Sequence, residues 1–168
     1  MPRNVEVKAK LRDLDRTVSI VKDLCKSDGI QLIQEDVFFE ATKCRLKLRT
    51  IQDRTTSQLI SYSREDTPGA KISDYKICEV PNREDLLQVL SSSLGIKGIV
   101  KKKRQLFLYG QTRIHIDTVE GLGNFLELEV VLQDSQGFSD GNKILQDLLN
   151  KLNIEEEDLM VGAYIDLM

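Results

Sequence analysis

The 168-residue chain has few of the residues that most often announce chemistry. It contains one histidine, His115, and three cysteines, Cys25, Cys44 and Cys78, odd in number and widely separated. That spacing excludes a cysteine-based zinc site, and free thiols in a reducing compartment are the simplest reading. No apolar run approaches about 18 residues and no hydrophobic segment follows Met1, so neither a membrane span nor a secretory signal is expected, and the default location is cytoplasmic. A Gly-rich phosphate loop, a nucleophile elbow and a Cys–His dyad are all absent. Sequence repeats, low-complexity tracts and interdomain linkers are missing too, and residues 1–168 are expected to form a single domain with a sizeable core. Lys and Arg number 24 against 27 Asp and Glu, a net charge of −3. Such a balance argues against a nucleic-acid partner, which usually selects a strongly basic domain.

What the chain does have is alternation. In Asn4-Val5-Glu6-Val7-Lys8-Ala9-Lys10-Leu11 the apolar residues point one way, and Asn4, Glu6, Lys8 and Lys10 the other. The arrangement recurs with Arg45, Lys47 and Arg49 around Leu46 and Leu48. It returns with Arg113, His115 and Asp117 around Ile114 and Ile116, and with Glu127 and Glu129 between Leu126, Leu128 and Val130. Further strands are expected in two pieces across Ile30–Ala41, then at Leu59–Arg64, Lys71–Val80 and Ile99–Tyr109. Tyr109-Gly110-Gln111 is expected to turn the chain back on itself. Helical spacing marks Asp13–Ser27 and, behind an Asn82 cap, Arg83–Leu94. Two more helices are expected at Asp140–Leu152 and roughly Glu155–Leu167.

About eight short strands, each with one apolar and one charged face, suit a barrel better than an open sheet. The expected fold is therefore α+β: an eight-stranded antiparallel β-barrel, or tunnel, with a charged interior and helices covering its apolar outside. Polar-in alternation also describes outer-membrane barrels, but the amphipathic helices and the lack of a signal favour a soluble one. Any one of these strands alone reads as a solvated face with cross-strand ion pairs. Five together read as a cavity, because one domain of this size rarely exposes five sheet faces. His115 alone is more often a structural hydrogen-bonder than a general base.

Charges inside a barrel are costly unless something pairs them. The inward cations would be Lys8, Lys10, Arg45, Lys47, Arg49, Arg64, Lys71, Lys102, Arg104 and Arg113. Arg offers phosphate a fork of donors and Lys a mobile point charge, so a cluster this dense calls for a multiply charged anion such as a triphosphate. Glu6, Asp117, Glu127 and Glu129 would repel that anion directly, and make sense as hard oxygen ligands for Mg²⁺ or Mn²⁺. Glu127 and Glu129 lie roughly 6.5–7 Å apart on one strand face by strand rise.

The order and spacing of several pieces is specific in combination. These are Asn4-Val5-Glu6-Val7-Lys8, Arg45-Leu46-Lys47-Leu48-Arg49, Tyr62-Ser63-Arg64, Val100-Lys101-Lys102-Lys103-Arg104, Thr112-Arg113-Ile114-His115-Ile116-Asp117, Gly121-Leu122-Gly123, Phe125-Leu126-Glu127-Leu128-Glu129 and the tail Ala163-Tyr164-Ile165-Asp166-Leu167. Together they resemble the CYTH superfamily, or triphosphate tunnel metalloenzymes, in its class IV adenylate cyclase-like (CyaB-type) branch, over nearly the whole chain. The resemblance implies a tunnel binding a small-molecule triphosphate with Mg²⁺ or Mn²⁺. Activities it implies are hydrolysis of inorganic, thiamine or nucleoside triphosphates, or cyclisation of ATP to cAMP. By position it implies phosphate contacts at Arg45, Lys47, Arg49, Arg64, Lys102, Arg104 and Arg113, and metal-binding acids at Asp117, Glu127 and Glu129. Of the family's Glu-x-Glu-x-Lys signature, Glu6 and Lys8 are present and the first glutamate is Asn4. The leading expectation is a divalent-metal-dependent triphosphate hydrolase in which Glu127, Glu129 and Lys8 are catalytic. A cyclase, and a non-catalytic polyphosphate binder motivated by Asn4, stay open beside it. The family includes dimers, which leaves a homodimer open as well.

Overall fold

The computed structural model describes residues 2–168. Eight antiparallel strands close into a barrel: β1 (Arg3–Lys10), β2 (Ile30–Phe39), β3 (Arg45–Ile51), β4 (Ser57–Arg64), β5 (Lys71–Val80), β6 (Ile96–Tyr109), β7 (Thr112–Val119) and β8 (Gly123–Val131). Their order around the wall is β1-β5-β4-β3-β2-β6-β7-β8, which leaves no free sheet edge. The first strand therefore sits between the fifth and the last, with Glu6 opposite both Lys71 and Glu129, and Lys8 opposite Glu127.

Three helices lie outside the wall: α1 (Leu14–Cys25), α2 (Arg83–Leu94) and α3 (Phe138–Lys151). Asp13 opens α1 by accepting the Arg16 N–H, and Asn82 opens α2 by accepting the Asp85 N–H. The alternation of the strands explains where the core went. Outward residues Val5, Val7, Ile114, Leu126 and Leu128 pack with Val21 of α1 and Leu145 and Leu148 of α3. A second cluster joins Val37, Phe39, Leu48 and Val80 to Leu86, Leu87 and Leu90 of α2. The hydrophobic core is thus a jacket around the barrel, and the charged faces are turned into it.

Two expectations need correction. Residues 30–39 form one continuous strand whose register shifts between Phe38 and Phe39, because its whole length is paired with β6 and most of it with β3. The helix expected over Glu155–Leu167 is absent; only two short 3₁₀ turns form, at Glu156–Asp158 and Tyr164–Leu167. Tertiary pairing overrides helical propensity there. Leu159 bridges to Ala9 of β1, the Met160 N–H donates to the Lys8 carbonyl at 2.8 Å, and Gly162 turns the backbone with φ 81°. The tail then delivers Ala163, Tyr164 and Ile165 onto Phe38, Val100, Val119 and Phe125 at one end of the barrel. Among the described residues no helix is long and apolar enough to cross a membrane.

Candidate functional site

The barrel encloses a cavity of about 350 Å³. Every strand contributes to its wall, and the side chains that do so are those whose period-two partners face the helical jacket. Its cations are Lys8, Arg49, Arg54, Arg64, Arg104 and Arg113, and its carboxylates are Glu6, Glu127 and Glu129. Six positive groups against three negative ones leave the wall with an excess of positive charge.

The pairing inside follows the register. Arg64 binds Glu6, and Lys8 lies 3.6 Å from Glu127. Arg104 grips Asp117 with two hydrogen bonds of 2.7 and 2.8 Å and reaches Glu127 at 3.6 Å. Arg113 contacts Glu129 at 2.6 Å. Lower in the barrel, Asp36 is shared by three cations: Arg49 through two bonds of 2.8 Å, Lys102 at 3.0 Å and Lys47 at 3.3 Å. Tyr164, brought in by the tail, donates to Asp117 at 2.7 Å and lays its ring 3.7 Å from the Lys8 ammonium. That end of the tunnel is closed.

Burial and charge set the protonation. Burial pushes the Glu129 carboxyl up to about 8, and the neighbouring Glu127 carboxylate adds to the effect. Burial works against Glu127 as well, but Lys8 and Arg104 hold it well below its ordinary value. The two glutamates thus share one proton at neutral pH. Burial, with Arg104 nearby, keeps His115 well below its usual range and therefore neutral. Burial lowers Lys102 to about 7 despite Asp36, since that one carboxylate serves three cations. It lowers Lys47 to about 8.

Ligating atoms of His115, Glu127 and Glu129 lie within 4.8 Å of one another. His115 Nδ1 is buried without a hydrogen-bond partner, as is Asn4 Oδ1, which lines the same cavity further along β1. Two carboxylates and a neutral imidazole form a donor set that fits Mg²⁺ or, with its nitrogen, Mn²⁺. On the anionic side, Arg64 Nε and Nη2 are likewise buried and unpartnered.

The expected site residues divide into groups. Glu6, Lys8, Arg49, Arg64, Arg104, Arg113, Glu127 and Glu129 come together on the cavity wall. Lys47, Lys102 and Asp117 sit in the closed lower part, and both oxygens of Asp117 are already engaged by Arg104 and Tyr164. Arg45 lies at the periphery, bound to Asp66 at 2.8 Å and Asp166 at 2.6 Å. Lys71 donates to the Thr67 carbonyl at 3.1 Å. Lys10 is a correction: it ends β1, is exposed, and lines an outer groove with Arg12, Asp13 and Arg16. Its alternation is intact, but it is the last residue of β1, opposite Phe125 at the rim, and its side chain is exposed there. Asp36 and Tyr164 were not expected. Gln34-Glu35-Asp36 hides one inward carboxylate before an apolar run, and Tyr164 falls in a tail whose spacing looks helical.

A closed antiparallel barrel with a charged lumen and a jacket of helices defines a tunnel fold. The chain belongs to the CYTH domain family, whose family model matches residues 2–164. It is similar to MJ0240 of Methanocaldococcus jannaschii, which carries a provisional adenylate cyclase name, at 26% identity over 97% of each chain. Among solved structures, the PH1012 protein of Pyrococcus horikoshii shares the fold with a TM-score of 0.85 and 24% identity, over 98% of this chain and 99% of that one. HpAC1 from Hippeastrum, provisionally an adenylyl cyclase and described with a dominant triphosphatase activity, has a TM-score of 0.64 at 12% identity, over 97% and 91%.

Proposed function

We propose that the protein is a divalent-metal-dependent triphosphate hydrolase that takes the phosphate chain of an inorganic, thiamine or nucleoside triphosphate into the tunnel. The observation that carries this reading is the Arg64 guanidinium, buried with two nitrogens unpartnered in a cavity of six cations and three carboxylates. A buried guanidinium that gives Glu6 only one of its nitrogens leaves costly unmet donors unless a second anion meets them. Family membership and the triphosphatase activity described for HpAC1 support the same reading.

In this reading Lys8, Arg49, Arg64, Arg104 and Arg113 bind the phosphate oxygens and neutralise charge that grows on the transferring group. Bound near His115, Glu127 and Glu129, with Glu6 opposite Glu129, Mg²⁺ or Mn²⁺ would supply Lewis-acid stabilisation and acidify water. Water adds to the terminal phosphorus as the anhydride P–O bond breaks, releasing orthophosphate. Freed, on cation binding, of the proton it shares with Glu127, the Glu129 carboxylate would take the proton the water gives up, and the shortened phosphate chain leaves with the electrons of the broken bond. Lys47, Lys102 and Arg45 act at longer range by holding Asp36, Asp66 and Asp166. Asp117 acts by fixing Arg104 and Tyr164 and is a positioning group here rather than a ligand.

The names of relatives support a second reading, cyclisation of ATP to cAMP. One assay separates the two. Tripolyphosphate, thiamine triphosphate and ATP are each offered with Mg²⁺ or Mn²⁺, and orthophosphate and cAMP are measured. Orthophosphate release is expected. Appearance of cAMP without orthophosphate would replace hydrolysis with cyclisation, and tight binding with no turnover under either metal would leave a polyphosphate binder.

A further inference from the structure

The lining of the tunnel changes character toward its open end. Followed outward from the Asp36 cluster, the inward positions turn aliphatic, with Leu32 after Gln34 on β2, Ile51 after Arg49 on β3 and Leu106 after Arg104 on β6, and Ile60 and Ile77 line the same cavity. The register carries this patch past the cavity. Ile30 lies opposite Leu106, and Leu108 lies opposite Arg113, and residues directly opposed on paired strands share a face. Ile30, Ile77 and Leu108 are 60%, 49% and 67% exposed. None of the seven aliphatic residues belongs to the clusters that hold the helices and tail to the barrel. An aliphatic collar on the luminal face of an otherwise charged tunnel therefore takes no part in holding the helices and tail to the wall. Polar groups share this stretch, among them Gln34 opposite Ile51 and Ser73 opposite Asn4, while Gln58 donates to Glu79 at 3.1 Å, Arg113 is held by Glu129 and Arg54 stands at the rim.

Resting on the triphosphate reading above, we infer that the collar receives the group esterified to the phosphate chain and that this group is aliphatic. The preferred substrate is then an alkyl-type triphosphate ester rather than free tripolyphosphate or a nucleoside triphosphate. Continuity fixes the occupant's orientation, because collar and cation cluster are two stretches of one cavity. An anion seated among Arg49, Arg64 and Arg104 directs whatever it carries outward across the aliphatic wall. Each methylene removed from water there raises affinity about fourfold.

The test is calorimetric titration of the full chain with EDTA present, so that nothing turns over. The ligands are tripolyphosphate, methyl triphosphate, hexyl triphosphate and ATP. Hexyl triphosphate is expected to bind at least about tenfold more tightly than methyl triphosphate, and more tightly than ATP. In the triple variant Ile30→Thr, Ile77→Thr, Leu108→Thr, which keeps strand-forming side chains at exposed positions, the hexyl-to-methyl ratio is expected to fall toward one. Should circular dichroism show the triple variant unfolded, Leu108→Thr alone is read, with a partial fall expected. A ratio near one in the unaltered protein, a ratio untouched by the substitutions, or tighter binding of ATP overturns the inference while tripolyphosphate binding leaves the anion site standing. Absence of any tripolyphosphate binding overturns both.

Discussion

Arg64 and Glu129 are the two residues on which the site turns, and each is poised against its own partner. Arg64 gives Glu6 an ion pair yet keeps two nitrogens free of partners. Replacing it with alanine removes those donors and strands Glu6 as an uncompensated buried acid. With charged hydrogen bonds worth about 1.5–3 kcal/mol, Arg64→Ala is expected to weaken tripolyphosphate binding by roughly 10–100-fold in calorimetry. Glu129→Gln should behave differently. It resembles the protonated carboxyl that burial and Glu127 already favour, so the fold and anion binding should persist while metal-dependent orthophosphate release is lost. A variant that released orthophosphate at the original rate would remove Glu129 from the chemistry. These residues were readable because inward strand positions repeat every second residue, and Glu127-Leu128-Glu129 cannot divide its acids between two faces. Asp36 was not, since one acid next to Val37, Phe38 and Phe39 gives no period. Lys10 misled for the opposite reason: its alternation is intact, but it ends β1 at the rim with its side chain exposed.

At the scale of elements, strands β1 and β3 to β8 could be read from alternation, and α1 and α2 from apolar spacing and capping side chains. The closing order was not readable, because nothing in β1 announces that it pairs with both β5 and β8. The apolar spacing of the tail looks helical, yet Leu159, Met160, Tyr164 and Ile165 serve contacts with β1 and the lower barrel rather than a helix face. Tyr164→Phe tests that docking. It removes a hydrogen bond to a buried carboxylate and leaves the ring on Phe125 and Lys8. A loss of about 1.5–3 kcal/mol is expected by denaturant melt. On the other side of the barrel, α3 approaches β1 closely at Gly141, where an added Cβ would meet Val5 Cγ2 at 2.6 Å. Overpacking costs about 1–3 kcal/mol and a helical alanine returns about 1 kcal/mol. Gly141→Ala is therefore expected to destabilise by about 1 kcal/mol, lowering Tm by about 2–4 °C. A gain in Tm would mean that α3 can shift off the wall freely.

The whole molecule inverts the usual arrangement, with its apolar core outside the barrel and its charges within, and its pH dependence should reveal that. A carboxyl whose folded pKa is raised contributes stability below its unfolded value and loses it as pH rises through the folded one. For Glu129 that loss runs from its ordinary value near 4.5 up through about 8. Without divalent cation, stability measured against the Glu129→Gln variant should fall between about pH 5 and 8 in denaturant melts, a comparison that cancels the opposite slopes of His115, Lys102 and Lys47, whose folded pKa values are lowered. Mn²⁺ should offset the fall, because a cation takes the place of the proton shared by Glu127 and Glu129. Over the same interval Lys102, at about 7, and Lys47, at about 8, lose their charge. Positive potential in the lower barrel then drops, so metal-free tripolyphosphate affinity should decline as Mn²⁺ affinity grows. Turnover requires both ligands, and its pH profile should be a bell with its crest between about 7 and 8. Titrating each ligand separately from pH 6 to 9 provides the check. Opposite slopes mark one cavity that trades a proton for a metal while its lysines discharge, whereas parallel or flat slopes would place the anion and the metal in unrelated sites.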